Sequence, residues 1–198
     1  MGRIEARLAS GNAHKLRELR ELFPDWTIEP LGADMPEETG ETFYVNAQAK
    51  GLFARGVADP ATVVIAEDSG LEVAALGGRP GVRSARYAGP DATDEENVAK
   101  LLEELSASAG ARRSARYVSE LVVIAPDGAE TRGTGTLEGR IAESPRGSGG
   151  FGYDPVFIPA GETSTVGELG DGWKREHSHR ARAAAALCGA LGGSGREL

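Results

Sequence analysis

Residues 63–73 read Val63-Val64-Ile65-Ala66-Glu67-Asp68-Ser69-Gly70-Leu71-Glu72-Val73. Three β-branched residues followed by alanine mark a strand buried on both faces, as in a parallel sheet. The polar run Glu67 to Gly70 is expected to break this strand, and Leu71-Glu72-Val73 to resume one. Such a strand needs helices over its faces, and the flanking sequence supplies them. Upstream, Ile4, Ala6 and Leu8 alternate with charged residues as a first strand. Leu16, Leu19, Leu22 and Phe23 then recur at helical spacing until Pro24-Asp25 stops the helix. Residues 26–28 suit a short strand, residues 32–40 a polar loop, and Thr42 caps a second helix reaching residue 56.

Downstream, residues 77–92 read as a long loop. Thr93 and Glu96 form a capping box, opening a helix with Val98, Leu101, Leu102 and Leu105 on one face. Residues 117–125 and 131–141 are strands joined by the turn Pro126-Asp127-Gly128. A glycine-rich loop over 144–155 leads into a short strand at 156–158. Ser178 caps a last helix carrying Ala184, Leu187 and Leu191, with Cys188 in its core face. Helices and strands alternate early and a hairpin comes late. The expectation is an α/β fold with a mixed central sheet flanked by helices. One domain over 1–191 and a flexible glycine-rich tail over 192–198 complete it.

Composition narrows the function. The chain has 198 residues, 40% hydrophobic and 26% charged, which suits a soluble globular protein. Its net charge of -8 argues against nucleic-acid binding through a broad basic face. No apolar run approaches the ~20 residues of a membrane span. Cys188 is the sole cysteine. An internal disulfide and a cysteine metal cluster are therefore both excluded, which fits a cytoplasmic location.

Several segments combine residues that can carry chemistry. Ser10-Gly11-Asn12-Ala13-His14-Lys15 joins a strand to a helix. Helix-start amides and Lys15 suit an anion; an ordinary connection capped by Asn12 fits the same residues. Glu37-Glu38 and Glu67-Asp68 are acidic pairs on separate segments. Carboxylates of that kind can hold Mg²⁺ against a polyphosphate, and one can deprotonate water. They also fit a solvated loop and a turn.

Phe43, Asn46, Ala47 and Lys50 share one helix stripe. Polar groups aimed into a phosphate cleft fit that pattern, and so does a lysine snorkelling from a core-facing stripe. Gly149-Gly150-Phe151-Gly152-Tyr153-Asp154-Pro155 mixes flexible backbone, aromatic faces and an acid, which suits a stacked base or a plain hairpin loop. Lys174 with Ser178-His179-Arg180 offers donors for the O6 carbonyl of an oxo-purine, where adenine presents a donor instead; a capped helix start with surface cations fits as well. Arg79, Arg83 and Arg86 suit phosphate or a partner subunit. His14 and His177 read on their own as surface residues, and Trp26 and Trp173 as packing.

Five blocks in order resemble the inosine/xanthosine triphosphate pyrophosphatase family. They are Leu8 to Lys15; Glu38 to Phe43; Asp68 to Val73 running on to Pro80-Gly81 and Ser84 to Gly89; Pro145 to Pro155; and Ser178-His179-Arg180. They span nearly the whole chain. The resemblance implies two lobes around a nucleotide cleft, a homodimer, Mg²⁺, and cleavage between the α- and β-phosphates of deaminated purine triphosphates. By residue, it implies that Ser10, Gly11, Asn12, Ala13, His14, Lys15 and Ser69 hold phosphates. Asp68 is the implied proton acceptor and metal ligand, with Glu37 or Glu38, preferably Glu38, as another ligand. Lys50 neutralises phosphate charge, with Asn46 on the same stripe. Phe151, Gly152, Tyr153, Asp154, Lys174, His179 and Arg180 enclose the base.

The chain departs from the family pattern at Val45, where glutamate is common, at Glu67, where aspartate is common, and at Ala181, where glycine is usual. Maf-type pyrophosphatases would open on Ser-Pro-Arg-Arg, which this chain lacks. A non-catalytic nucleotide binder is disfavoured because Asp68 and the acidic pair are both present.

Overall fold

The computed structural model describes residues 3–106 and 113–193. Its strands are β1 (Ile4–Ala9), β2 (Trp26–Pro30), β3 (Val63–Val73), β4 (Ser114–Ile124), β5 (Glu130–Ile141) and β6 (Phe157–Pro159). They form one six-stranded sheet in the order β2-β1-β3-β4-β5-β6. β1 runs parallel to β2 and to β3, and β5 pairs antiparallel with β6. The sheet is therefore mixed, as the alternation of elements predicts. The helices are α1 (Ala13–Leu22), α2 (Phe43–Val57), α3 (Asp94–Glu104), α4 (Val166–His177) and α5 (His179–Gly193).

The expected break at Glu67–Gly70 does not occur: β3 runs unbroken for 11 residues. Glu67 and Asp68 are tolerated inside it because cations meet both carboxylates. The expected loop over 77–92 contains a six-residue 3-10 helix, Gly81–Arg86. The sequence reading has no counterpart for α4. Three glycines within it (Gly167, Gly170 and Gly172) dilute its helical pattern, and Gly170 breaks its regularity at φ 79°. Its start was nonetheless written in the chain, since Thr165 and Glu168 form a complete capping box.

Cys188 is exposed, not part of the core; the buried face of α5 is Ala181, Ala183, Ala184 and Leu187. α5 also continues through Gly192 and Gly193, which the sequence placed in a flexible tail. Residues 194–198 of that tail lie outside the described residues.

The described chain divides into two compact units. One comprises the residues up to Asp68, Ser119–Gly135, and those from Arg180 onward; the other comprises Ser69–Val118 and Thr136–His179. Each has its own apolar core. In the first unit Leu8, Leu19, Ile28 and Ile65 pack with Leu121, Val123 and Leu187. In the second, Leu71, Val73 and Leu101 pack with Tyr117, Tyr153 and Phe157.

In the first unit the docking of α5 on β5 depends on Gly133. A Cβ there would lie 2.3 Å from the Ala183 carbonyl oxygen and 2.6 Å from the Leu187 nitrogen. Backbone cannot yield as a flexible side chain does. Gly133→Ala is expected to cost about 1–3 kcal/mol by overpacking, lowering Tm by roughly 2–4 °C per kcal/mol. A thermal melt checks it.

Candidate active site

The first unit gathers its charged residues around β3. Thr42 accepts a hydrogen bond from Val45 N and so fixes the start of α2. One turn later the stripe Phe43, Asn46, Ala47 and Lys50 faces inward, and all four residues are buried. Lys50 is only 5% exposed, so its ammonium does not reach water by snorkelling. It lies 2.6 Å from Glu38 Oε1 and 3.3 Å from Asp68 Oδ1. Asn46 donates from Nδ2 to Asp68 Oδ2 (3.1 Å) and accepts the Gly40 N–H on Oδ1 (2.8 Å). Asn46 thereby ties the acidic loop to the strand. Of the two neighbouring acids, Glu38 is turned toward Lys50 while Glu37 is exposed.

Burial and charge compete at this cluster. Burial raises the Asp68 pKa, and Lys50 and then Lys15 only partly offset it. Burial disfavours the Lys50 ammonium, but Asp68 and Glu38 outweigh it, and its pKa ends raised. Lys50 is thus a cation throughout the neutral range. Asp68 grips a proton more firmly than a free carboxylate does, the direction that suits a proton acceptor.

Asn12 caps α1: its Oδ1 accepts from His14 N (2.9 Å) and Lys15 N (3.1 Å), and its own N–H donates to Ser10 Oγ (3.2 Å). Gly11, Asn12, Ala13 and His14 are exposed. Lys15 reaches back to β3, with its Nζ 2.6 Å from Glu67 Oε2. Glu67 is fully buried and also accepts from Ser119 Oγ (2.9 Å) and from Arg180 Nε and Nη2 (3.2 and 3.1 Å) on Oε1. The Arg180 guanidinium pairs with Glu18 as well. Its acidic neighbours raise its pKa against the opposing effect of burial, the largest single influence on it. The sequence reading grouped Arg180 with the base; here its partners are Glu67 and Glu18.

The second unit holds Ser69, which is half-buried in β3, and the aromatic loop. Asp154 is the centre of that group. Its Oδ2 accepts from Lys174 Nζ (2.8 Å) and Phe151 N (3.0 Å), and its Oδ1 from the Tyr117 hydroxyl (3.2 Å). The Lys174 ammonium stands 4.6 Å over the Phe151 ring. Tyr153 donates its hydroxyl to Ser84 O (2.8 Å), and Gly152 N donates to Asp94 Oδ2 (2.6 Å). His179 stacks on Tyr117, with ring centroids 4.5 Å apart and planes at 8°. Arg79 pairs with Glu104 at 3.0 Å. Trp173 packs against the core of this unit. His14 and His177 are exposed.

Sequence reasoning assigned no site role to Glu18, Ser119 or Tyr117. A signal was present for two of them. Glu18 stands three residues after Lys15 on one helix face, and Ser119-Glu120 interrupts the otherwise apolar run over 117–125.

Fold and site together define an α/β protein with a buried carboxylate–lysine cluster at the middle of β3. The chain belongs to the Ham1 family, whose model matches residues 6–190. It is 48% identical over 187 residues to a protein of Thermus thermophilus named dITP/XTP pyrophosphatase, covering 91% of this chain and 88% of that one. It is 44% identical over 188 residues to one of the same name from Bdellovibrio bacteriovorus, covering 91% and 94%. The structure of a HAM1 protein from Coxiella burnetii superposes with a TM-score of 0.84 at 38% identity, over 96% of this chain and 99% of that one.

Lys50→Met leaves Glu38 and Asp68 facing each other without their cation. Removing one partner of a buried pair costs about 3–5 kcal/mol. Without the Lys50 ammonium, which lowers it, the Asp68 pKa stands further above its unfolded value, so the folded state is favoured while Asp68 stays protonated. That advantage is lost as pH rises through the folded-state value. The deficit against the parent is therefore expected to be smaller at pH 5 than at pH 7, as read by urea denaturation at each pH.

Proposed function

We propose that this chain hydrolyses deaminated purine nucleoside triphosphates, (d)ITP and XTP, to the monophosphate and pyrophosphate. One observation carries the reading: the Lys50 ammonium is held jointly by Glu38 and Asp68 in a buried site, with Asn46 fixing the acid. The names of the relatives support the substrate class.

The donor set fits Mg²⁺. Among the described residues no three His, Cys, Asp or Glu side chains group as a metal site. Mg²⁺ asks for less, namely one or two carboxylates completed by phosphate oxygens and waters. Glu38 and Asp68 already converge on a cation, and they would hold the ion, with Glu37 beside them. The ion would supply charge neutralisation on the phosphates. Asp68 accepts a proton from water, whose oxygen attacks the α-phosphorus. The bond from that phosphorus to the bridging oxygen breaks, and pyrophosphate leaves with its charge. Lys50 and Lys15 offset that charge, and Ser10 to Lys15 and Ser69 contact phosphate oxygens. Lys174 and His179, set around Asp154, read the oxo edge of the purine, and Phe151 offers it a ring face. A site built from donors penalises adenine, which presents a donor where hypoxanthine presents an acceptor.

The same reading includes a homodimer resident in the cytoplasm that clears the nucleotide pool; sedimentation of the full chain tests the pairing. Among the described residues no helix is long and apolar enough to cross a membrane.

The test is one incubation series with Mg²⁺ and dITP, XTP, dGTP or dATP, identifying the released anion. Pyrophosphate from dITP and XTP is expected; orthophosphate would refute the reaction. Chelation should abolish turnover and added Mg²⁺ restore it. Asp68→Asn should lower kcat at least about 100-fold while nucleotide binding persists. Lys174→Ala should narrow the ratio of dITP to dATP hydrolysis.

A further inference from the structure

Tyr117 joins two of the residues assigned to the purine, and nothing in the sequence marked it. It lies on β4 within the second unit and is 7% exposed. Its hydroxyl donates to Asp154 Oδ1 at 3.2 Å. Its ring lies nearly parallel to His179 at 4.5 Å and packs against Phe157 at 4.6 Å with planes at 49°. Phe157 is fully buried, so this contact anchors the tyrosine to the core.

Two consequences follow from that geometry. The Asp154 carboxylate is held by donors from three segments: Tyr117 on β4, Phe151 N in the glycine-rich loop, and Lys174 on α4. With three directions fixed, the carboxylate has little rotational freedom, and the ammonium it carries is placed with it. The stack in turn fixes the plane of the His179 imidazole, and so the directions in which its ring nitrogens can donate or accept. Lys174 and His179 therefore take their orientation from a common support.

We infer that Tyr117 is a specificity-determining residue that acts through Asp154 and His179, setting the angle at which Lys174 and His179 meet the oxo edge of the purine. The inference rests on the proposed base-reading role of this group. It adds the residue that makes the reading selective. Tyr117 is a positioning residue, because its contacts are to Asp154, His179 and the core.

The experiment compares the parent, Tyr117→Phe and Tyr117→Leu. Phenylalanine removes the hydroxyl from Asp154 and keeps the stack; leucine removes both. Kinetics with dITP and dATP are measured for each, alongside a thermal melt. For Tyr117→Phe the kcat/KM ratio of dITP to dATP is expected to fall about tenfold, the scale of one hydrogen bond to a charged group. The change should fall in KM for dITP more than in kcat, because Asp68 and Lys50 are untouched. Tyr117→Leu should lose more selectivity, and the phenylalanine variant should restore part of that loss. A purely structural role would lower Tm and scale activity on both substrates alike, leaving the ratio unmoved. A parent that discriminates dITP from dATP, with Tyr117→Phe discriminating equally, overturns this inference alone. A parent that does not discriminate overturns it together with the base-reading role, since there is then no selectivity to set.

Discussion

The burial of Lys50 constrains everything around it. A lysine ammonium that is 5% exposed exists only where negative charge offsets lost hydration. Glu38 and Asp68 supply that charge from two segments, and Asn46 couples the segments by binding Gly40 N and Asp68 at once. The loop over residues 37–40 is thereby held to β3. Gly40 is part of the same constraint: a Cβ there would fall 2.6 Å from Asn46 Oδ1. One charge requirement thus explains a loop conformation, a helix stripe and a strand that stays regular through two acids.

The second unit reaches its own balance by a similar device with different chemistry. Asp154 is buried at 3% exposure and gathers an ammonium, a phenol and an amide. Its cation also faces an aromatic ring. Polar groups buried this deeply are costly when left half-satisfied. Networks of this type, when satisfied, are rigid. In the first unit opposite charges offset each other pair by pair; in the second, an ammonium, a phenol and an amide share one acid.

The sequence made the fold legible wherever pattern and length agreed. The buried run at Val63–Ala66, the stripe from Phe43 to Lys50 and the hairpin across Pro126-Asp127-Gly128 each had one physical reading that mattered. It misled at Glu67–Gly70, because local composition says turn while distant Lys15, Lys50 and Arg180 make a strand affordable. α4 carries little helical signal, because three glycines dilute its pattern and only the capping box at Thr165 marks its start. The sequence misplaced Cys188, since an alanine-rich helix such as α5 carries little amphipathic signal. The candidate site was legible as blocks of residues. The supporting partners Glu18, Ser119 and Tyr117 were less so, because their contacts lie 162, 52 and 37 positions away along the chain.

His179 and Arg180 show why block-wise reading stops short. They are adjacent and entered the sequence reading as one motif. In the fold they belong to different units. The imidazole lies on Tyr117, while the guanidinium is gripped by Glu67 and Glu18. Glu67 is also the acid that holds Lys15. A change at Arg180 therefore bears first on a buried carboxylate in β3, and through it on the lysine at the head of α1. The two neighbours lie on opposite sides of a point where the chain passes from one unit to the other. Arg180 serves the charge balance of the first unit and His179 the aromatic packing of the second, so adjacency in the chain does not give them one role.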